Sequence, residues 1–210
     1  MKKMLFMLMF PLLLLAYSNN NVLALTWLNG FCKVNPAKAV CVNRKNGDYS
    51  LNHFILHGLW PKKEYCSHKP MNLSKNFLKI LQKYMPGAKF GLAKHEWKKH
   101  GTCFGGDPET YFITGVKFTQ QFNETMILQF FNMHIGQGVS LKRMRWLFGQ
   151  VFGRNNTRKF QMVCKNGYIT EIRIKLKGNP VKEDFYNLVN KADEFKGVKQ
   201  CTFGIIAVPK

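Results

Sequence analysis

The chain is 210 residues long, with 32 Lys and Arg against 11 Asp and Glu, a formal net charge of +21. That length carries one good core, so a single domain is the default. Charge alone names no function, but it narrows the partners to nucleic acid, an anionic membrane or an acidic substrate.

Lys2 and Lys3 precede an apolar run from Leu5 to Leu15 that is too short to span a bilayer. Ala16–Tyr17–Ser18 then offers small residues where a signal peptidase reads, which predicts a leader over 1–18 and a mature domain over 19–210. Cleavage after Ala24 is the rival, and it would cut through a predicted first strand at 21–27. Asn43 to Asp48 reads as a polar turn, and Asn52 to Leu56 as a second strand that ends at His57, with Gly58 opening a turn. Ser74 caps a helix carrying Phe77, Leu78, Leu81 and Tyr84, which Pro86–Gly87 ends. A helix over Leu92–His100 stops at Gly101.

Asp107–Pro108–Glu109 is a strong helix start, and the segment towards Phe131 is predicted mostly helical with a break near Gly115. Ser140 caps a further helix bearing Leu141, Met144, Leu147, Phe148 and Val151. The period then changes from helical to alternating. Phe160–Cys164 and Tyr168–Leu176 read as strands joined by a Lys165–Asn166–Gly167 turn, and Thr202 to Val208 as a last strand. The sum predicts an α+β single domain with a mostly antiparallel central sheet flanked by helices. Six cysteines, an even number behind a leader, predict disulfides, and no pair has the short spacing of a structural zinc site. Six cysteines allow 15 connectivities, among which sequence does not select.

Two segments carry the chemistry: His53 to Pro61, and His95 to Cys103. On a helix Glu96 and His100 share a face, and His95 and Lys99 form a second such pair beside it. Lys99 suits the neutralisation of charge building on a phosphate. His95 and His100 are five apart and diverge by roughly 140° around the helix, so they make poor joint zinc ligands. Two imidazoles can supply a base and an acid near neutral pH without metal or cofactor, but the residues do not say which does which. Trp60 suits either a base platform or the core, with the core favoured on physical grounds. Tyr65 is a candidate base contact by proximity alone, His68 and His134 read as surface or structural, and His53 as at most a border of the cleft.

The strings Ile55–Leu56–His57–Gly58–Leu59–Trp60–Pro61 and His95–Glu96–Trp97–Lys98–Lys99–His100–Gly101–Thr102–Cys103 resemble the two active-site motifs of the ribonuclease T2 family. Leu25–Thr26–Trp27 with Gly30–Phe31–Cys32 looks like that family's first strand and first cysteine, and Tyr168–Ile172 looks like its bacterial periplasmic branch. The resemblance implies a metal-free and cofactor-free endoribonuclease, disulfide-stabilised, acting on RNA as a monomer in the periplasm or outside the cell. It implies that His100 is the general base on the 2′-hydroxyl and His57 the general acid at the leaving 5′-oxygen, by way of a 2′,3′-cyclic phosphate. Glu96 and Lys99 would stabilise the phosphorane, His95 would help hold the phosphate, and Trp60 would contact substrate. It also implies the pairs Cys32–Cys41, Cys66–Cys103 and Cys164–Cys201. A secreted basic protein that binds RNA, with catalysis incidental, is the alternative.

Overall fold

The computed structural model describes residues 16–198 and 200–209. Its strands are β1 (Asn20–Thr26), β2 (Ile55–Pro61), β3 (Gly138–Ser140), β4 (Phe160–Lys165), β5 (Tyr168–Lys177) and β6 (Phe203–Ile205). They form one sheet in the order β2-β1-β5-β6-β3, with β4 on β5. Every pairing is antiparallel except the short β5–β6 contact at Tyr168 and Ile205. The helices are α1 (Leu28–Val34), α2 (Ala39–Val42), α3 (Lys75–Tyr84), α4 (Leu92–Lys99), α5 (Pro108–Asn123), α6 (Met126–Met133), α7 (Leu141–Phe152) and α8 (Phe185–Lys191). Even residues of β5 (Ile172, Ile174 and Leu176) enter the core, so Glu171, Arg173 and Lys175 share the opposite face. Trp27, Phe54 and Phe131 interlock in the core, with ring centroids 4.7–5.2 Å apart.

Local chemistry sets many of the boundaries. The side chains of Ser74, Asp107 and Ser140 accept hydrogen bonds from the backbone N–H groups of Phe77, Thr110 and Arg143, as N-caps do. Asn166 and Gly167 both have positive φ, 49° and 79°, the pattern of a two-residue hairpin turn. The disulfides are Cys32–Cys41, Cys66–Cys103 and Cys164–Cys201. Most of the predicted leader, residues 1–15, lies outside the described residues. Tyr17 stacks obliquely on Phe104 at 5.5 Å, and the Ser18 N–H donates to the Phe104 carbonyl at 2.8 Å.

Elsewhere the structure departs from the prediction. Helix α5 passes Gly115 unbroken, because Gly115 is where the helix meets β2. A Cβ there would lie 2.9 Å from Leu56 Cδ2, so close approach explains this glycine. The break falls at Glu124–Thr125, where the Thr125 side chain caps α6. The short helices α1, α2 and α8 were not foreseen, and the last strand shrinks from Thr202–Val208 to Phe203–Ile205. The second strand begins later and runs further than predicted, and that difference shapes the site.

Candidate active site

His57 does not end a strand. It sits inside β2, and Gly58 continues that strand rather than opening a turn. Across the ladder Ala24 pairs with Gly58 and Leu25 with Leu56, which leaves His57 as an extra, bulged residue. The bulge changes the phase of the strand. Leu56 and Leu59, three apart, both reach the core, and Trp60 stays half-buried beside His57. Strict alternation from Leu56 would have sent Trp60 into the core instead. The Trp60 and His57 rings meet edge to face at 5.2 Å.

Gly58 is required by closeness, not by a turn. A Cβ on it would lie 2.1 Å from Glu96 Oε2 and 2.4 Å from Trp60 Nε1. Those two atoms form a hydrogen bond of 2.7 Å, in which the indole N–H donates. Glu96, 1% exposed, comes from α4 and reaches towards His57, with Oε1 3.7 Å from Nε2. At the other edge of the imidazole, Nδ1 meets Glu171 Oε2 at 2.5 Å. The second oxygen of Glu171 accepts from Arg173 Nε at 2.6 Å, and the Arg173 guanidinium lies 4.9 Å from the Trp60 ring centre.

His100 follows the last turn of α4, where the chain tightens into a 3₁₀ turn at Gly101–Cys103. Gly101 does not adopt a left-handed conformation; it lies against the Trp97 ring, 2.2 Å from where a Cβ would stand. The His100 ring stacks on Trp60 at 5.4 Å, so one indole holds both imidazoles. Lys99 is half-buried and pairs with Glu64 at 3.5 Å, and the same carboxylate lies 3.9 Å from His100 Nδ1. His95 is exposed on α4 near His100. The Cys66–Cys103 bond and the hydrogen bond from Tyr65 N–H to the Lys99 carbonyl (2.8 Å) tie the chain after β2 to the end of α4. Tyr65, exposed, takes a left-handed φ of 54° there.

Environment separates the two imidazoles. Burial pulls the His57 pKa down, but the hydrogen bond and charge of Glu171, with help from Glu96, outweigh it and the value rises. Burial holds His100 down to about 4, against the pull of Glu64 and with the push of Lys99. One ring is therefore shifted towards the cation while the other is a neutral base near neutral pH, a pairing that suits acid and base acting together. The carboxylates divide likewise. Burial raises Glu96 despite His57, Trp60 and Lys99, whereas His57 and Arg173 hold Glu171 below its ordinary value against burial.

His57, Trp60, Glu96, Lys99 and His100 thus converge, with His95 on the rim. His53 turns away and stacks on Tyr49 at 3.9 Å. Glu171, Arg173 and Glu64 were not anticipated. The signal for the first two was present in the alternation of β5, which placed charged side chains in a row on the face away from the core. Among the described residues no group of three or more His, Cys, Asp or Glu is arranged to hold a metal ion.

Fold and site together define an α+β protein with two differently tuned imidazoles, buried carboxylates and lysine, suited to acid–base chemistry on a phosphodiester. Residues 19–194 match the model of the Ribonuclease T2 family, and the chain belongs to that family. It is similar to Ribonuclease I of Escherichia coli, 26% identical over 202 residues that cover 76% of this chain and 75% of that one. It is also similar to a ribonuclease of Aeromonas hydrophila, 34% identical over 87 residues, 40% of this chain and 36% of that one. The fold matches the self-incompatibility SF11-RNase of Nicotiana alata with a TM-score of 0.64 at 18% identity, covering 91% of this chain and all of that one. It matches RNase NT, solved in complex with 5′-AMP, with a TM-score of 0.63 at 16% identity over 91% and 98% of the two chains. The chain is an RNA-cleaving enzyme.

Proposed function

We propose that this endoribonuclease cleaves single-stranded RNA with little sequence preference, by acid–base transphosphorylation at His57 and His100. His100, neutral and buried, takes the proton of the 2′-hydroxyl as the 2′-oxygen bonds to phosphorus. His57, its protonated form favoured by Glu171, gives its proton to the 5′-oxygen as the P–O5′ bond breaks, leaving a 2′,3′-cyclic phosphate. In the hydrolytic step the roles reverse: His57 takes a proton from water and His100 returns one to the 2′-oxygen. Glu96 and Lys99 face the phosphorane, and His95 helps hold the phosphate. Trp60 positions the rings as well as bordering substrate. The observation that carries this reading is the opposite tuning of two imidazoles held on one indole.

Export to a periplasm or to the outside, a monomeric state and action without metal belong to the same proposal. Export is supported by the leader-like start and the three disulfides. The test is RNA digestion in excess chelator, comparing the wild type with His57→Ala and His100→Ala. We expect full wild-type cleavage and a loss of about 10²–10⁴-fold in each variant. Wild-type inactivation by chelator would remove the metal-free mechanism, and undiminished cleavage by both variants would remove the site assignment.

A further inference from the structure

We propose that a second, cationic cleft beside the active site binds backbone phosphates of the RNA outside the scissile step, so that long strands are held at two places. The cleft, about 1040 Å³, lies between the 43–53 segment, one face of α3 and the turn at 86–90. Arg44, Lys45, Lys79, Lys83 and Lys89 line it, and Asp48 is the one carboxylate among its described lining residues. Asp48 is engaged, since its Oδ2 accepts from the Lys45 backbone N–H at 2.8 Å. Lys79 and Lys83, four apart on α3, point the same way and are exposed, as is Lys89.

Arg44 shows that this charge is built in. Its Nη2 donates to Asn29 Oδ1 at 2.5 Å, which fixes the guanidinium at the wall, while Nε and Nη1 are enclosed with no acceptor. Enclosed donors without partners are uncommon; here they hold positive charge in the wall and leave contact with phosphate to the exposed Lys79, Lys83 and Lys89. Beside them Tyr49 and His53 stack within 13° of parallel, and Lys83 Nζ lies 5.1 Å from the Tyr49 ring. Cations along a groove with flat rings in its wall are how single strands are bound with little regard to sequence.

Position selects RNA over other polyanions. Val40 lines both this cleft and the smaller hollow, about 480 Å³, that His57, Glu171 and Arg173 border. Pro86 lines the first and its neighbour Gly87 the second. The two hollows are therefore neighbours, close enough for one strand to lie across both. A flat membrane surface does not reach into such a recess, and a single phosphate leaves most of it empty.

The inference rests on the ribonuclease reading of the neighbouring site, and its test separates the two. Binding of a 2′-O-methyl 20-mer and a 2′-O-methyl trimer, neither cleavable, is measured across salt for the wild type, Lys79→Glu/Lys83→Glu and the milder Lys79→Ala/Lys89→Ala. Cleavage of a dinucleoside monophosphate and of long RNA is measured in parallel. The charge-reversed variant should bind the 20-mer at least tenfold more weakly, the trimer unchanged. The Ala pair should lose about 1.4 from the slope of log K against log salt, roughly 0.7 per phosphate contact removed. kcat/KM should fall on long RNA and hold on the dinucleotide, which also reports an intact fold. Unchanged 20-mer binding in both variants would overturn the inference and assign the cleft to another anion. An equal fall on dinucleotide and long RNA would also overturn it. A wild type that cleaves nothing yet shows the expected binding differences would sink the catalytic reading and leave the cleft standing.

Discussion

Nδ1 of His57 lies 2.5 Å from Oε2 of Glu171, and the other oxygen of that carboxylate is held by Arg173. The proposed acid is therefore oriented and charged by a residue outside both motifs. Glu171→Gln keeps the shape and an acceptor but removes the charge that raises His57. The alkaline limb of the pH–rate profile should move to lower pH, with kcat/KM at pH values above the limb falling by about tenfold per pKa unit lost. A uniform fall with no movement of the limb would show that Glu171 serves only the fold.

The wild-type profile should itself be wide. His100 must be neutral to act as base, so the acidic limb of kcat/KM belongs near pH 4. His57 must be protonated to act as acid, so the alkaline limb lies above 6.5. Initial rates on a dinucleoside monophosphate at constant ionic strength check both limbs. In His57→Ala the alkaline limb should vanish from the residual rate.

Stability follows the same two groups with opposite signs. His100, lowered in the fold, is disfavoured as a cation there, so its contribution worsens as pH falls from 6.5 through about 4. His57, raised in the fold, contributes stability that is present below 6.5 and lost as pH rises through its folded value. Urea denaturation across pH should show that His100→Asn gains on the wild type towards pH 4. His57→Asn should lose on it most below 6.5.

Gly58→Ala places a methyl group against Glu96 Oε2 and Trp60 Nε1. Either carboxylate or indole must shift, and a displacement near 1 Å at reacting groups costs roughly 10² in rate. Dinucleotide kcat should fall by about that factor while the alkaline limb moves less than in Glu171→Gln, because the larger support of His57, Glu171, is untouched.

Removing the Cys66–Cys103 bond releases a loop with a sequence separation of 37. The chain-entropy relation gives a loss of about 4 kcal/mol for Cys66→Ser/Cys103→Ser, read from the urea midpoint. KM should rise as well, because Glu64 and Tyr65 would no longer be fixed beside Lys99 and His100.

The order of elements, the caps at Ser74, Asp107 and Ser140, and the hairpin at Asn166–Gly167 were legible because each is written in a few adjacent residues. The convergence of His57, Glu96, Lys99 and His100 was legible through two motifs. What was not legible depends on contacts across the sheet. The bulge at His57 is a register mismatch between β1 and β2, so no reading of β2 by itself gives the direction of Trp60. Gly58, Gly101 and Gly115 looked like turns or breaks, yet each accommodates a side chain from a distant part of the chain or a neighbouring turn. Glu171 and Arg173 were visible as a polar stripe, but only the docking of β1 between β2 and β5 brings that stripe to His57.

Strand β1 pairs with β5 from Asn20–Lys177 to Thr26–Glu171, a ladder that joins the two ends of the fold. A growing chain therefore has no β5 to pair with until most of it has been synthesised, and closing so long a loop is slow. Until then His57 has neither its carboxylate nor its orientation. The orientation of the proposed acid is thus among the last features of the site to be completed as the chain emerges.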